Sequence, residues 1–364
     1  MHIDSLKLQN FRNYRDLDLE FSPGTNLFYG DNAQGKTNIL EAVYVCGTTK
    51  SHRTSRDREM IRFGTDDAHL RMNMQKGEIS YRIDMQLRLG KAKGIAVNMV
   101  PIKRAAELIG LGHFIFFSPQ DLSIIRDSPA GRRKFLDMEL CQLDRVYAAS
   151  LISYNRVLDQ RNRLLKTLQS DREDIRTLDV WDEQLVRYGS ILIRTREAFT
   201  EKLSVIIAPI HEKLSSGREH LTVTYEKNVT EDEFADKVRQ GRQRDLYLAS
   251  TMNGPHKDDL TFMSDGVDLR HYGSQGQQRS AALSLKLAEI ELVKDRTLDT
   301  PVLLLDDVLS ELDASRQHAL LESIGEIQTL ITCTGIGEYE KSGFHIDRRF
   351  HVRDGHADPV EGEA

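Results

Sequence analysis

Eight consecutive residues of this 364-residue chain, Gly30, Asp31, Asn32, Ala33, Gln34, Gly35, Lys36 and Thr37, fit the pattern G-x-x-x-x-G-K-[ST]. The pattern implies phosphate chemistry. Its glycines let successive backbone N–H groups turn toward one anion, and a helix starting there adds its dipole. Lys36 would then reach the terminal phosphates of a nucleoside triphosphate, and Thr37 would offer a hydroxyl to Mg2+. Far downstream, the apolar run 302–305 ends in Asp306 and Asp307. A carboxylate at the end of a buried strand beside such a loop can orient the Mg2+ shell, and a second acid beside it can polarise an attacking water. Asp306 is therefore assigned to the metal shell, and Asp307, with Lys36, to catalysis.

A third segment, "HYGSQGQQRS" (271–280), runs into the helical pattern "AALSLKLAEIELVK" and has the glycine-rich helix start of a phosphate loop without its lysine. Spacing alone leaves two readings open. The element could serve a second nucleotide held by another subunit, or Gly273 and Gly276 could merely shape a loop before a core helix.

These motifs need elements to hold them. Ile3, Leu6 and Leu8, then Leu17, Leu19 and Phe21, alternate as strands do. The Pro23-Gly24 turn and the apolar "NLFY" follow, feeding the phosphate loop, and Ile39, Leu40, Val43 and Tyr44 then take helical spacing from about Thr37. Residues 68–90 alternate as a hairpin or meander, and "HFIFFSPQDL" reads as a buried strand and a turn. The middle third is helical. One apolar stripe runs from Leu136 through Leu140, Leu143, Tyr147, Leu151, Tyr154 and Leu158 to Leu168, and a second from Trp181 to Ile210. Together they make a helical hairpin with arms roughly 45–55 Å long at 1.5 Å per residue, in which Pro209 is expected to kink or end the second arm. The tail "DGHADPVEGEA" is expected to be disordered.

Composition narrows the class. At 39% hydrophobic and 29% charged residues the chain reads as a globular protein of two lobes. No apolar run approaches the roughly 20 residues a bilayer requires, and the first residues lack the order of a secretory signal, so a cytoplasmic location is expected. Cys46, Cys141 and Cys333 match no metal-ligand spacing and read as buried thiols. A net charge of −6 leaves nucleic-acid contact to local patches.

The order of the parts carries a resemblance. A phosphate loop, a long helical insertion, a Ser-Gln-Gly-Gln helix start, the Asp306-Asp307 strand and "SELD" (310–313) follow one another as in ABC-type head domains related to the structural-maintenance-of-chromosomes (SMC) proteins. With "LQNFRNY", "GDNAQGKTNILEA", "FSPQDL", "DSPAGRRKFLD", "NGPHKDDL", "YGSQGQQR" and "LLLDDVLSELD", the chain resembles the RecF family of bacterial recombinational repair proteins from about Leu8 to Asp313. The resemblance implies an α/β fold, an ABC-type P-loop ATPase head. Its lobe I (1–120 and 297–364) is a mixed sheet with helices, and its lobe II (121–296) is mainly helical.

The same resemblance implies ATP and Mg2+ as cofactors. ATP is held at residues 30–37 and sandwiched when two copies associate head to tail. Ser274, Gly276 and Gln277 then act on the other copy's nucleotide, Asp313 lies near the seam, and Arg12 lies near the phosphates. It further implies an ATP-driven homodimer on DNA, single-stranded or duplex, with little sequence specificity. The family's task is at gaps, helping RecR and RecO to load RecA and supporting the SOS response. Asp307 stands where many such ATPases carry Glu; the shorter reach implies slow hydrolysis, suited to a switch. Where a switch histidine is often found, Thr332 and Thr334 are the polar candidates. Gln120 corresponds either to the water-positioning glutamine or to a plain turn residue.

DNA phosphates require only Lys and Arg on a connected surface. Candidate clusters are His52 with Arg53, Arg56 and Arg58; Arg132 with Arg133 and Lys134; Arg156, Arg161, Arg163 and Lys166; and Arg239, Arg242 and Arg244. Each could equally be a solvated helix face. Two other classes remain to be weighed: the ATPase subunit of a membrane transporter, and a P-loop kinase for a small molecule. The helical insertion and "QNFRNY" speak against the first, and "YGSQGQQRS" against the second.

Overall fold

In the computed structural model, residues 1–103, 107–170, 175–335 and 345–360 are described. The chain divides into two compact units, Met1–Asp121 with Glu289–Ala364, and Leu122–Ala288.

The first unit opens with β1 (His2–Phe11) and β2 (Tyr14–Glu20), followed by β3 (Thr25–Tyr29) and α1 (Lys36–Thr48). Next come β4 (Asp67–Lys76), β5 (Ile79–Arg88), β6 (Gly94–Val97), β7 (Val100–Pro101) and β8 (Phe114–Phe117). Six of these strands pair antiparallel in the order β2-β1-β4-β5-β6-β7. The alternation read in the sequence sets the faces: Leu6, Leu8, Leu17 and Leu19 are buried, while Lys7 and Asp18 pair on the other side. Helix α1 is buried along nearly its whole length because both sheets of the unit pack against it, through β1, β4 and β5 on one hand and β8, β12 (Val302–Asp306) and β13 (Thr329–Cys333) on the other.

The second sheet of this unit runs β15-β14-β3-β13-β12-β8, with β14 (Arg348–Arg353) and β15 (His356–Val360) as its C-terminal hairpin. Strands β14, β3, β13, β12 and β8 are all parallel, and the nearly continuous burial of β3, β13, β12 and β8 is what strands covered on both faces show. Helix α9 (Ala314–Ile324) lies between β12 and β13 in the chain. The tail departs from expectation here. Residues 356–360 are a strand, because Val352 and Ala357 are buried opposite one another and the parallel edge β14 offers its outer hydrogen bonds. The last four residues of that segment, 361–364, lie outside the described residues.

The second unit contains α2 (Leu122–Arg126), α3 (Pro129–Leu143), α4 (Arg145–Ser170), α5 (Leu178–Leu214) and β9 (Leu221–Glu226). After them come α6 (Phe234–Leu248), β10 (Asp259–Ser264), β11 (Val267–Asp268) and α7 (Leu269–Tyr272). Helix α8 (Gln275–Thr297) begins in this unit, and the second boundary falls inside it. Helices α4 and α5 pack as the expected hairpin, and β9, β10 and β11 form a small antiparallel sheet.

Two details of the hairpin differ from the sequence reading. The first arm is broken: Asp144 is extended (φ −141°), and its carboxylate caps α4 by accepting from the backbone N–H of Val146 (2.8 Å) and Tyr147 (3.0 Å). An apolar stripe carries no signal for such a cap. Pro209 does not end the second arm. The carbonyl left without a donor belongs to Val205, which is exposed, so water can satisfy it. Of the three free thiols, Cys46 and Cys333 are buried, and Cys141 is half-buried rather than buried.

Candidate phosphate-binding site

Residues 30–37 leave the end of β3 and enter α1 through a loop whose Gly30 (φ 148°), Ala33 (φ 66°) and Gly35 (φ 116°) all lie at positive φ. Space enforces the glycines as strictly as torsion does. A Cβ on Gly30 would stand 2.3 Å from the carbonyl oxygen of Val352, and one on Gly35 2.4 Å from Asn13 Nδ2. Asp31, Asn32 and Ala33 are exposed, while Lys36 is buried.

Two side chains and one backbone N–H from elsewhere in the chain brace the loop. Asn13 Nδ2 donates to the Gln34 carbonyl (2.8 Å), and Asn13 Oδ1 accepts from Asn38 (2.7 Å). The Tyr14 hydroxyl donates to the Gly35 carbonyl (3.1 Å), and burial raises its pKa, keeping it a donor. The Asp354 backbone N–H, in the C-terminal hairpin, donates to Gln34 Oε1 (2.7 Å). Asn13 and Tyr14 were missed as site residues, although "NFRNY" contains both. Arg12 next to them is drawn elsewhere: its Nε and Nη2 grip both oxygens of the fully buried Glu41 of α1 (2.9 and 2.6 Å), and its Nη1 donates to the Glu59 carbonyl.

The carboxylates arrive from the parallel sheet. Strand β13 separates β3 from β12, and its Thr332 pairs in register with both Phe28 and Asp306. Asp306 Oδ1 accepts from Thr37 Oγ1 and from Thr332 Oγ1, each at 2.8 Å, and the Asp307 backbone N–H donates to Thr332 Oγ1 (3.0 Å). Asp307 sits at φ 53°, a turn that Asp tolerates better than most residues, and its carbonyl accepts from Ser310 Oγ (2.9 Å). Lys36 Nζ donates to the carbonyls of Gly30 and Asp31. Desolvation lowers its pKa, opposed by the charges of Asp307, Cys333, Asp306 and Asp31. A buried ammonium at a glycine-rich turn into a helix, with carboxylates near enough to act on its charge, suits the polyanion of a triphosphate with its cation.

The structure thus brings residues 30–37, Asp306, Asp307 and Thr332 together. Asp313 lies on the same unit as an exposed N-cap of α9, accepting from the Arg316 backbone N–H (3.0 Å). Ser274, Gly276 and Gln277 belong to the other unit, at the exposed start of α8. Gln120 is exposed in a turn closed by Asp121, and Thr334 is exposed beyond β13. Three candidate DNA contacts are engaged in ion pairs, and two of them, Arg132 and Arg161, are buried. Arg132 clamps Asp259 through two bonds (2.6 and 2.9 Å), Arg161 is fully buried between Asp182 and Asp245, and Arg242 holds Asp182 and Asp179.

A P-loop after β3 and an acidic end on β12, two strands of one parallel sheet with β13 between them, define an ABC-type ATPase head with an SMC-like fold. Solved structures of an Smc head agree in fold, one with a TM-score of 0.58 at 17% identity over 99% of this chain and 97% of the other. A family model described as an AAA domain matches residues 5–244. The "DNA replication and repair protein RecF" of Lachnoclostridium phytofermentans is 54% identical over 98% of this chain and 99% of its own, and that of Clostridium botulinum 44% identical over 96% of each. A structure described as "the recombination mediator protein RecF-ATP in RecFOR pathway" superposes with a TM-score of 0.92 at 34% identity, covering 99% of this chain and 98% of the other. The chain belongs to the RecF family of DNA replication and repair proteins.

Proposed function

We propose that this chain is an ATP-operated DNA clamp: ATP closes two copies head to tail on DNA, and slow hydrolysis reopens them. The observation that supports this most directly is the Thr37–Asp306 hydrogen bond of 2.8 Å, which joins the phosphate loop to the acidic strand. ATP occupies residues 30–37. The backbone N–H groups and the start of α1 take its phosphates, and Lys36 exchanges its two carbonyl partners for phosphate oxygens. The Thr37 hydroxyl and the Asp306 carboxylate form the hard oxygen set that Mg2+ prefers, with Thr332 fixing the rotamer of Asp306. A single carboxylate suffices in such a site because phosphates and water complete the shell; no cluster of three His, Cys, Asp or Glu that could hold a metal occurs among the described residues. Bound Mg2+ would neutralise phosphate charge.

Asp307 is the base that orients the attacking water. Ser274, Gly276 and Gln277 cap the γ-phosphate of the other copy's ATP, and Asp313 lies at that seam. Arg12, held by Glu41, lies near the phosphates, next to Asn13, which is bonded to the loop. The DNA is single-stranded or duplex and is read by its backbone. RecR is the direct partner, with RecO and RecA in the same pathway, and the setting is the cytoplasm. No helix among the described residues is long and apolar enough to cross a membrane.

The test is the size of the protein in solution with and without ATP and duplex DNA, for wild type, Lys36→Ala and Lys36→Arg. Wild type should dimerise only with ATP, Lys36→Ala should stay monomeric, and Lys36→Arg should bind ATP yet turn it over poorly. An ATP-independent dimer, or none under any condition, would rule the clamp out.

A further inference from the structure

The segment "NGPHKDDL" (253–260) has no part in the nucleotide site, yet it is held more tightly than a surface turn requires. Gly254 lies at φ 137°, a Cβ there would stand 2.5 Å from the Tyr154 hydroxyl, and its N–H donates to Asn228 Oδ1 (2.9 Å). The Pro255 carbonyl accepts from Arg196 (2.7 Å). His256 is gripped at both ring nitrogens, by the Tyr154 hydroxyl (2.7 Å) and the Thr251 carbonyl (3.0 Å). Asp258 is fully buried; it accepts from Tyr225, Arg196 and the Asn228 N–H, and its carbonyl accepts from Arg133 (2.7 Å). Every residue from 254 to 258 is thus tied by its side chain or backbone to α3, α4, α5, β9 or the Asn228 loop that follows β9, with one exception. Lys257 is exposed, and its ammonium makes no hydrogen bond or ion pair among the described residues.

The acids around this turn are consumed from within. Asp245, Asp258 and Asp259 are paired with Arg161, Arg196 and Arg132, respectively. The cations outside are not. Asn253 Nδ2 donates to the Lys237 carbonyl on α6 (3.2 Å) and lies 2.6 Å from where a Cβ on Gly241 would stand, so the turn rests on that face of α6. Lys237 and Arg244 flank Gly241 on the same face, four residues before and three after it. Both are exposed, and neither side chain forms an ion pair among the described residues. Lys257 and Arg133 are near enough to His256 to help depress its pKa.

We propose that Lys257, Lys237 and Arg244 form a platform for the sugar-phosphate backbone of DNA, with the 254–258 turn as its rigid mount. A mobile lysine loses conformational freedom when it binds an anion; fixing the backbone beneath Lys257 lowers part of that cost. Lys and Arg without base-reading partners give sequence-independent binding. The proposal rests on the clamp reading and locates one of its DNA surfaces on the second unit.

The test is the affinity of the full chain, with ATP, for a labelled duplex across a salt series, for wild type, Lys257→Ala, and the triple variant Lys237→Ala/Arg244→Ala/Lys257→Ala. The triple variant should bind at least tenfold more weakly. Its log–log salt slope should be shallower by about 0.9 for each phosphate that is no longer neutralised, with ATP affinity and thermal midpoint unchanged. Lys257→Arg should restore most of the affinity that Lys257→Ala removes. If wild type binds the duplex and the triple variant matches it in affinity and slope, the platform is wrong and the clamp stands. If wild type itself fails to bind DNA at any salt, both fall.

Discussion

Ser274 and Gln277 cap one another across the first turn of α8: the Ser274 Oγ accepts from the Gln277 N–H (3.2 Å), and the Gln277 Oε1 accepts from the Ser274 N–H (2.9 Å). This reciprocal box gives both residues a structural task in the isolated chain. Substitutions that remove or keep this cap can therefore separate the two readings that sequence left open. Ser274→Ala should cost about 1 kcal/mol of stability through the missing cap. Ser274→Asp should keep the cap, since Asp is an equally good N-cap, while setting a negative charge against any phosphate offered by a second copy. Thermal unfolding and sizing with ATP read the two effects apart: Ser274→Asp should melt like wild type yet fail to dimerise. Normal dimerisation of Ser274→Asp would refute a role in trans.

Asp306 and Asp307 are neighbours in sequence with different surroundings. Asp306 is fixed by two hydroxyls, whereas Asp307 occupies a left-handed turn. Asp307→Asn tolerates that turn and keeps the side chain's size, so folding and ATP binding should be intact. Phosphate release should fall by roughly 100-fold, the scale of a missing general base, and the ATP-bound dimer should outlive that of wild type. Asp306→Asn should instead remove the Mg2+ dependence of ATP affinity. Isothermal titration with and without Mg2+ checks the second claim; an unchanged Mg2+ response would exclude Asp306 as a metal residue.

Arg161 shows why composition misleads about surfaces. Its guanidinium is fully buried, bonded to Asp182 (2.7 Å), Asp245 (2.7 Å) and Thr251 (2.7 Å). Arg161→Met should destabilise the chain by about 3–5 kcal/mol, because two carboxylates are left without their common cation. Chemical denaturation should show the decrease. Salt-dependent DNA affinity, measured below the unfolding transition, should not change, which a surface arginine bound to phosphate could not satisfy.

Much of the nucleotide site was legible because its residues are adjacent in the chain: residues 30–37 form one loop, and Asp306 and Asp307 end one strand. What was hidden depends on closure over long separations. Thr332 stood out only as a candidate switch residue; its bond to Asp306 arises because β13 threads between β3 and β12, an order that no local pattern encodes. Asn13, Tyr14 and Asp354 brace the loop from 21 to 320 residues away. Basic clusters were the least legible feature, since a solvated arginine and one that meets an aspartate 127 residues along, as Arg132 meets Asp259, are spelled alike. The split at Asp144 and the continuous helix through Pro209 turn on one cap and one solvated carbonyl. Apolar spacing is blind to both.

His256 carries a pH dependence whose direction follows from its hydrogen-bond partners. The Thr251 carbonyl can only accept, so Nε2 bears the proton, and Nδ1 accepts from the Tyr154 hydroxyl, itself held protonated by burial. A second proton has no acceptor there. Burial, with the charges of Lys257, Arg133 and Arg161, lowers the pKa from 6.5 to about 4. Between those values the unfolded chain binds a proton that the folded chain does not, so stability is full above pH 6.5 and is lost as the pH falls toward 4. The decrease should reach about 3 kcal/mol, at 1.36 kcal/mol per unit. Buried Asp258, whose pKa burial raises, works in the opposite sense, since its neutral form is favoured in the fold as acid is added. His256→Gln separates the two contributions: its amide can donate to Thr251 and accept from Tyr154 without titrating. Denaturation midpoints from pH 7 to pH 4 should fall more steeply for wild type than for His256→Gln. Parallel curves would mean that His256 is not the group being titrated.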